Sequence, residues 1–242
     1  MTNEQAKLHV VISGGFSAAY EALLADFMRS TGIAVTTGSG ASQGKGPQTI
    51  AAQLERGVAA DVVILSREGL NELIAAHRIV AGTDIDLAQV PLGVAVRVGA
   101  AKPDVSTIDA FKQVVLAAKT ISVPASTSGI WLIENLFPRL GLAGKINVKA
   151  MPRGSDAAAL VASGGADIAV MPVSEIVHAP GVTCAGSLVP EIQFVQIFSA
   201  AVVAGSHATD TAKRLIAFFV SQSAVAAIEK SGMEPLAAAA RR

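Results

Sequence analysis

Cysteine is almost missing from this 242-residue chain. Cys184 stands alone, which excludes an internal disulfide framework. Aromatic residues make up only 4%, so the core has to be assembled largely from small aliphatic side chains packed closely. Neither sign of charge is in excess. Nineteen basic and nineteen acidic residues leave a formal net charge of zero, which argues against a nucleic-acid footprint or a polybasic membrane anchor. His9, His77, His178 and His207 lie in unrelated contexts without metal-ligand spacing, and neither a metal nor a cofactor is expected. No apolar run reaches the roughly 20 residues that span a bilayer, so no membrane insertion is expected. The polar stretch Met1–Lys7 has no basic segment followed by an apolar run and a cleavage site. The chain as written is expected in the cytoplasm, or in the periplasm if a leader has been removed.

What is abundant is aliphatic: 51% of the residues are hydrophobic, enough for a substantial core and against disorder. Leu8–Ser13 is a β-branched run that suits a buried parallel strand. A helix from Ala18 to about Thr31 follows, with Ala19, Leu23, Leu24 and Phe27 at helical spacing. Strand Ile33–Thr37, a helix to Arg56, strand Asp61–Ser66 and a helix over 67–78 complete a βαβαβα series. That alternation implies a parallel sheet covered by helices. Pro91–Val98 breaks it. Helix Ile108–Ala118, strand Thr120–Val123, helix Ile130–Leu140, strand Ile146–Ala150, helix Ala157–Ser163 (capped by Ser155 or Asp156) and strand Asp167–Met171 repeat the logic. Glu191–Ala204 reads as a second long, returning strand, and helices Thr209–Ser221 and Ser223–Lys230 close the chain, with 237–242 fraying. Two returning segments make a two-stranded hinge, so the expectation is an α/β protein with a discontinuous lobe (1–88 plus 199–242), a continuous lobe (89–198) and a cleft between them.

The strand ends carry the chemistry. Ser13-Gly-Gly, Gly38-Ser-Gly and Leu65-Ser66 place small residues where open α/β sheets bind ligands. The longest such stretch, Ser39-Gly-Ala-Ser-Gln-Gly-Lys-Gly46, runs into a helix. Glycines allow close backbone approach, hydroxyls and helix-start N–H groups donate, and Lys45 adds charge, which together suit an anion. A solvated flexible loop is the equal alternative on local sequence. It is not a P-loop, because Gly46 follows Lys45. Pro124–Gly129 is a second Ser/Gly loop, and Arg153 precedes a helix start, where carboxylate binding is natural. Glu175, if buried, would have its pKa raised and could transfer a proton. Helix-start use is the commoner role for such a residue. Phe16 and Trp131 suit core or cleft walls.

In the segments Ser13–Ala19, Ile50–Gly57 with Ala60–Ile64, and Gly154–Val161 with Ala166–Val170, the chain resembles the type II periplasmic-binding-protein superfamily, specifically its molybdate-binding solute receptors. The resemblance covers nearly the whole chain. It implies two lobes closing over a small anion, with an ABC permease as partner if the chain is exported. It places ligand contacts near Gly15, in the region Ser39–Gln48, and near Ser128, Gly154 and Met171. With the residues read directly, the candidate ligand set is Gly15, Phe16, Ser39, Ser42, Gln43, Lys45, Thr127, Ser128, Arg153, Gly154, Ser155, Met171 and Ser174. Two hydroxyls of the family pattern are absent: the family serine matches Gly15, and its tyrosine matches Met171. Ser126, Thr127, Ser128 and Lys45 suit a different anion, such as a carboxylate. Divergent members also resemble an aconitate isomerase, a cofactor-independent proton-shift enzyme for which Lys45 and Glu175 are the catalytic candidates.

Overall fold

The computed structural model describes residues 7–236. In chain order the elements are β1 (Lys7–Ile12), α1 (Ser17–Thr31), β2 (Ala34–Ser39), α2 (Ile50–Glu55), β3 (Val62–Ser66), α3 (Arg67–Ala75), β4 (Ile85–Val90), β5 (Leu92–Arg97), α4 (Ile108–Ala117), β6 (Ile121–Pro124), α5 (Thr127–Trp131), α6 (Phe137–Arg139), β7 (Val148–Met151), α7 (Gly154–Ala162), β8 (Ile168–Pro172), α8 (Val173–Ile176), β9 (Val182–Ser187), β10 (Gln196–Val202), α9 (Thr209–Phe219), α10 (Val225–Lys230) and β11 (Glu234–Pro235). They form two units. One runs up to Gln89 and resumes at Ile197, and the other is Val90–Gln196.

The first unit holds a six-stranded sheet in the order β11-β4-β10-β3-β1-β2. The apolar run of β1 suits its interior place between β3 and β2, where Leu8, Val10, Val11 and Ile12 are buried. β1 pairs in parallel with β2 and β3, while β10 runs antiparallel to β3. The parallel reading therefore holds for the β2-β1-β3 trio and the sheet as a whole is mixed. α1 buries Ala19, Tyr20, Leu23 and Phe27, and Gly32 ends it in a left-handed conformation at φ 70°. The few aromatics are concentrated where α1 meets α9. Phe16 packs edge-on against Phe219, and Tyr20 and Phe27 lie against Phe219 and Phe218. Such rings bury more area per residue than any aliphatic side chain.

The second unit has a five-stranded sheet, β7-β6-β8-β5-β9. β6 is parallel to both β7 and β8, and β5 is antiparallel to β8 and to β9. Val94, Val96, Phe111, Ile121, Val123 and Leu136 form the centre of one apolar cluster. Ala157, Ala158, Val161, Ala169 and Met171 form another, in which small side chains let α7 lie close on the sheet.

Several local expectations are corrected. The long strand over Glu191–Ala204 is only β10, because Pro190–Ile192 is a 3-10 turn. β4 and β9 were not anticipated. The helix expected from Ile130 starts at Thr127 and passes through a π-helical turn at Leu132–Leu136. α7 begins at Gly154 with Arg153 as its N-cap residue, so Ser155 and Asp156 lie in the first turn and neither is the cap. Residues 237–242, expected to fray, and Met1–Ala6 of the polar lead lie outside the described residues. Among the described residues no single helix is long and apolar enough to cross a membrane.

Gly129, in the first turn of α5, lies directly on the end of β6. A Cβ there would fall 1.7 Å from the Pro124 carbonyl oxygen, a backbone atom that cannot swing away. Gly129→Ala is expected to destabilise the protein by about 3 kcal/mol or more. Urea unfolding measures this, and a loss below ~1 kcal/mol would contradict the packing described.

Candidate functional site

At the carboxyl ends of β2, β1 and β3 the register sets Ile12 beside both Ser39 and Ile64. Three strand-to-helix connections therefore leave the sheet side by side. Ser13 donates its N–H to the Ile64 carbonyl, and Gly40 donates to that of Ile12. Ser13 itself is buried, and its Oγ has no hydrogen-bond partner. Ser66 caps α3, its Oγ accepting from the Gly69 N–H at 3.2 Å. Glu68 follows in the first turn. Burial raises its pKa, and its Oε2 is also unpartnered.

The Ser39–Gly46 loop is tied down at its base and open at its tip. Ala41 N–H donates to the Gln48 carbonyl, and Ile50 N–H to that of Ala41, both at 3.0 Å. Ser42 is buried, and its Oγ accepts from the Ser66 N–H at 2.9 Å. Gln43 donates to Glu72 Oε1 at 2.5 Å. Gln53 donates to the Ser39 and Gln48 carbonyls, and Arg56 to that of Pro47. Gly44 and Gly46, at φ 112° and 118°, turn the chain around Lys45. Lys45 and Ser39 are exposed.

In the second unit β6 lies between β7 and β8, and again three parallel strands end together. Thr127, Ser128 and Gly129 open α5 and are buried. Arg153 is exposed, as is Ser155, while Gly154 is buried at the start of the nine-residue α7. Ser174, after β8, is 5% exposed, and its Oγ has no partner. Glu175 retains some exposed surface as a residue, but its carboxyl group lies against the Gly154 backbone. A Cβ on residue 154 would come within 2.2–2.5 Å of the carboxyl atoms. Burial pushes the Glu175 pKa from 4.5 up to about 7.

Not every anticipated group faces a strand end. Phe16 is buried beneath α1 between Phe198 and Phe219. Trp131 stacks on Phe194 at 5.1 Å. Met171 is fully buried in the cluster around α7. Gly15 has no room for a side chain, because a Cβ would sit 2.1 Å from Phe198 Cζ. Among the described residues, no group of three or more His, Cys, Asp or Glu side chains could hold a metal.

Residues 8–234 match the bacterial extracellular solute-binding protein family. The chain belongs to that family. This solute-binding protein is 33% identical over 232 residues to an aconitate isomerase from a Pseudomonas species, a match covering 96% of this chain and 88% of that protein. The Azotobacter vinelandii periplasmic molybdate-binding protein superposes with a TM-score of 0.74 at 22% identity, covering 93% of this chain and 98% of that one. The sulfate-binding protein SubI of Mycobacterium tuberculosis superposes at 0.72 and 22% identity, covering 97% and 90%. These likenesses establish the two-lobed α/β fold of type II periplasmic binding proteins.

Ser13 and Ser66 were marked by sequence as small residues at strand ends, but Glu68 and Phe198 were not singled out. Phe198 lies 183 residues from Gly15 and becomes its neighbour only through the β10–β3 pairing.

Two measurements test this geometry. Gly15→Ser is expected to destabilise this solute-binding protein by about 1–3 kcal/mol through overpacking against Phe198, with much of the loss recovered in the Gly15→Ser/Phe198→Leu double variant. Additive losses in denaturant unfolding would refute the contact. Glu175 in the native state holds its proton up to about pH 7, whereas unfolded Glu releases it near 4.5. Between those values the unfolded state binds fewer protons, so stability falls as pH rises. The stability difference between wild type and Glu175→Gln is expected to shift against wild type by about 1–3 kcal/mol across that window, allowing for partial exposure. Parallel pH profiles would show that the carboxyl is not desolvated.

Proposed function

We propose that this solute-binding protein binds a small organic carboxylate carrying more than one negative charge, through the strand-end groups of its two units. The observation that carries the reading is a pair of buried, unpartnered hydroxyls, Ser13 and Ser174, each at the carboxyl end of a parallel strand trio. Buried polar groups are nearly always hydrogen-bonded. A carboxylate oxygen is an acceptor that such hydroxyls and the first-turn N–H groups of α5 and α7 would satisfy. The similarity to an aconitate isomerase over 96% of the chain favours a carboxylate among anions. Molybdate is disfavoured because the position of one family hydroxyl is filled by Phe198 and that of the other, Met171, is in the core. If the chain is exported, its partner is an ABC-type permease.

A second reading, an isomerase acting on the same carboxylate, is favoured by Glu175. A carboxyl with a pKa near 7 is both acid and base at neutral pH. As carboxylate, Glu175 would take a proton from a carbon next to a double bond. The electron pair released would delocalise across the allylic carbons onto an adjacent carboxylate, steadied by helix-start N–H groups. Returning the proton to the far allylic carbon moves the double bond and regenerates Glu175.

A thermal-shift screen of molybdate, sulfate and di- and tricarboxylates tests the first reading, since a ligand of the native state raises Tm by mass action. A rise with a di- or tricarboxylate, lost in Ser13→Ala and Ser174→Ala variants that still fold, is expected. Stabilisation by molybdate alone overturns it. Incubating the carboxylate hit in deuterated water, followed by proton NMR, decides the second reading. Deuterium at the allylic carbons and a new isomer, both lost in Glu175→Gln, are expected of an enzyme, whereas an unchanged spectrum leaves a receptor.

A further inference from the structure

A concavity within the first unit lies at the opposite end of its sheet from the groups above. It encloses about 510 Å³ and is lined by residues at the start of β1, before β3, after α3 and after β10. Parallel β1 and β3 both enter the sheet here, so nothing in it touches the carboxyl-end groups. Lys7, His9, Arg78 and His207 are four basic residues among those lining it. Asp61 is the one acidic residue among those lining it.

Asp61 is occupied internally. Its Oδ2 accepts from the His9 backbone N–H at 2.8 Å and its Oδ1 from the Ser206 hydroxyl at 2.6 Å. Its own N–H donates to the His9 carbonyl, and its carbonyl accepts from Val203 N–H. One carboxylate thus fastens β1, β3 and the segment after β10 together, and its negative charge is spread over two donors. The Ala204 N–H donates to the Arg78 carbonyl and fixes the opposite wall. The His9 ring is held by Thr36 Oγ1 at 2.7 Å from Nδ1. A concave surface with a cationic surplus and low-dielectric walls focuses potential and concentrates anions.

We propose that this pocket is a second anion-binding site, for a small divalent oxyanion such as a phosphate group, separate from the strand-end site. Lys7 and Arg78 supply the fixed charge, with Arg78 offering the planar fork that suits phosphate. His9 and His207 supply ring N–H donors, and Asp61 is the strut that shapes the pocket. The site stands whether or not the carboxylate reading holds, because no residue is shared.

Inorganic phosphate titrated into the ¹⁵N-labelled full chain tests it. Saturable amide shifts are expected at His9, Asp61 and Gly205–Ala208. They should weaken at least about tenfold in a Lys7→Glu/Arg78→Glu variant whose thermal unfolding matches wild type, and persist in Ser13→Ala/Ser174→Ala. Shifts confined to the carboxyl ends of the strands, shifts undiminished in the charge-reversed variant, or no shifts at 20-fold excess over millimolar-range affinity would each overturn the proposal. If Lys7→Glu/Arg78→Glu unfolds early, Arg78→Gln with His207→Gln replaces it under the same criteria.

Discussion

The turns from strand to helix are built too tightly to admit a Cβ. At Gly129 the obstacle is the Pro124 carbonyl, at Gly69 it is the Ser42 carbonyl, and at Gly154 it is the carboxyl of Glu175. This close approach is what the rest depends on. It brings helix starts directly onto strand ends, so that first-turn N–H groups collect where parallel strands finish. It also explains the composition. An alanine-rich α7 can lie against β8 because Ala157, Ala158 and Ala169 occupy so little space between them. Larger residues would push the helix out and lengthen the turns, and the donors would separate.

A second consequence concerns charge. The recognised ion pairs of the first unit are spent internally: Arg67 bridges Asp84 and Asp86, and Asp86 also accepts from Ser199. The exposed cations Lys45 and Arg153 lie beside these turns, while the buried groups at the strand ends are hydroxyls, backbone N–H groups and two carboxyls with raised pKa. Uncharged donors can hold an anion without burying a fixed counter-charge, which would be costly in the empty state. A carboxyl that keeps its proton can sit among them without repelling the ligand. Above its pKa the same group becomes a competitor for the helix start it lies on.

The β2-β1-β3 trio was legible because each strand runs into Gly or Ser and then into helical spacing, and β6, β7 and β8 were legible as short apolar runs alternating with helical ones. What escaped has physical causes. β4 carries Asp86 and Gln89 among its apolar residues, and β9 consists mostly of small residues, so neither stood out as a β-branched run. The residues before β10 read as strand from apolarity, but Pro190 removes a donor, and Gln193 takes the place of a ladder partner. Its side chain bonds both the N–H and the carbonyl of Leu92 and the carbonyl of Leu188. The N-cap of α7 was displaced from Ser155 to Arg153 because a glycine that must meet Glu175 had to open the helix. Gly15 was legible as a missing hydroxyl, but not as space already taken by Phe198.

The Ser39–Gly46 loop, balanced on sequence between a solvated loop and an anion cradle, divides in the structure. Its inner part is buried against β3 and its outer part is exposed. Ser42 Oγ receives the Ser66 N–H, and a hydroxyl that accepts at its oxygen retains a proton to donate. Gln43 is committed to Glu72. Gly44 to Pro47 project into solvent with Lys45 among them. If this loop contacts a ligand, as proposed, its two ends would act through different physics. Ser42 offers a short-range, directional donor whose position is set by β3. Lys45 offers a mobile charge whose reach is screened by salt over about 8 Å at physiological ionic strength. A contribution from Lys45 should appear chiefly in association rate and salt dependence, and one from Ser42 in affinity.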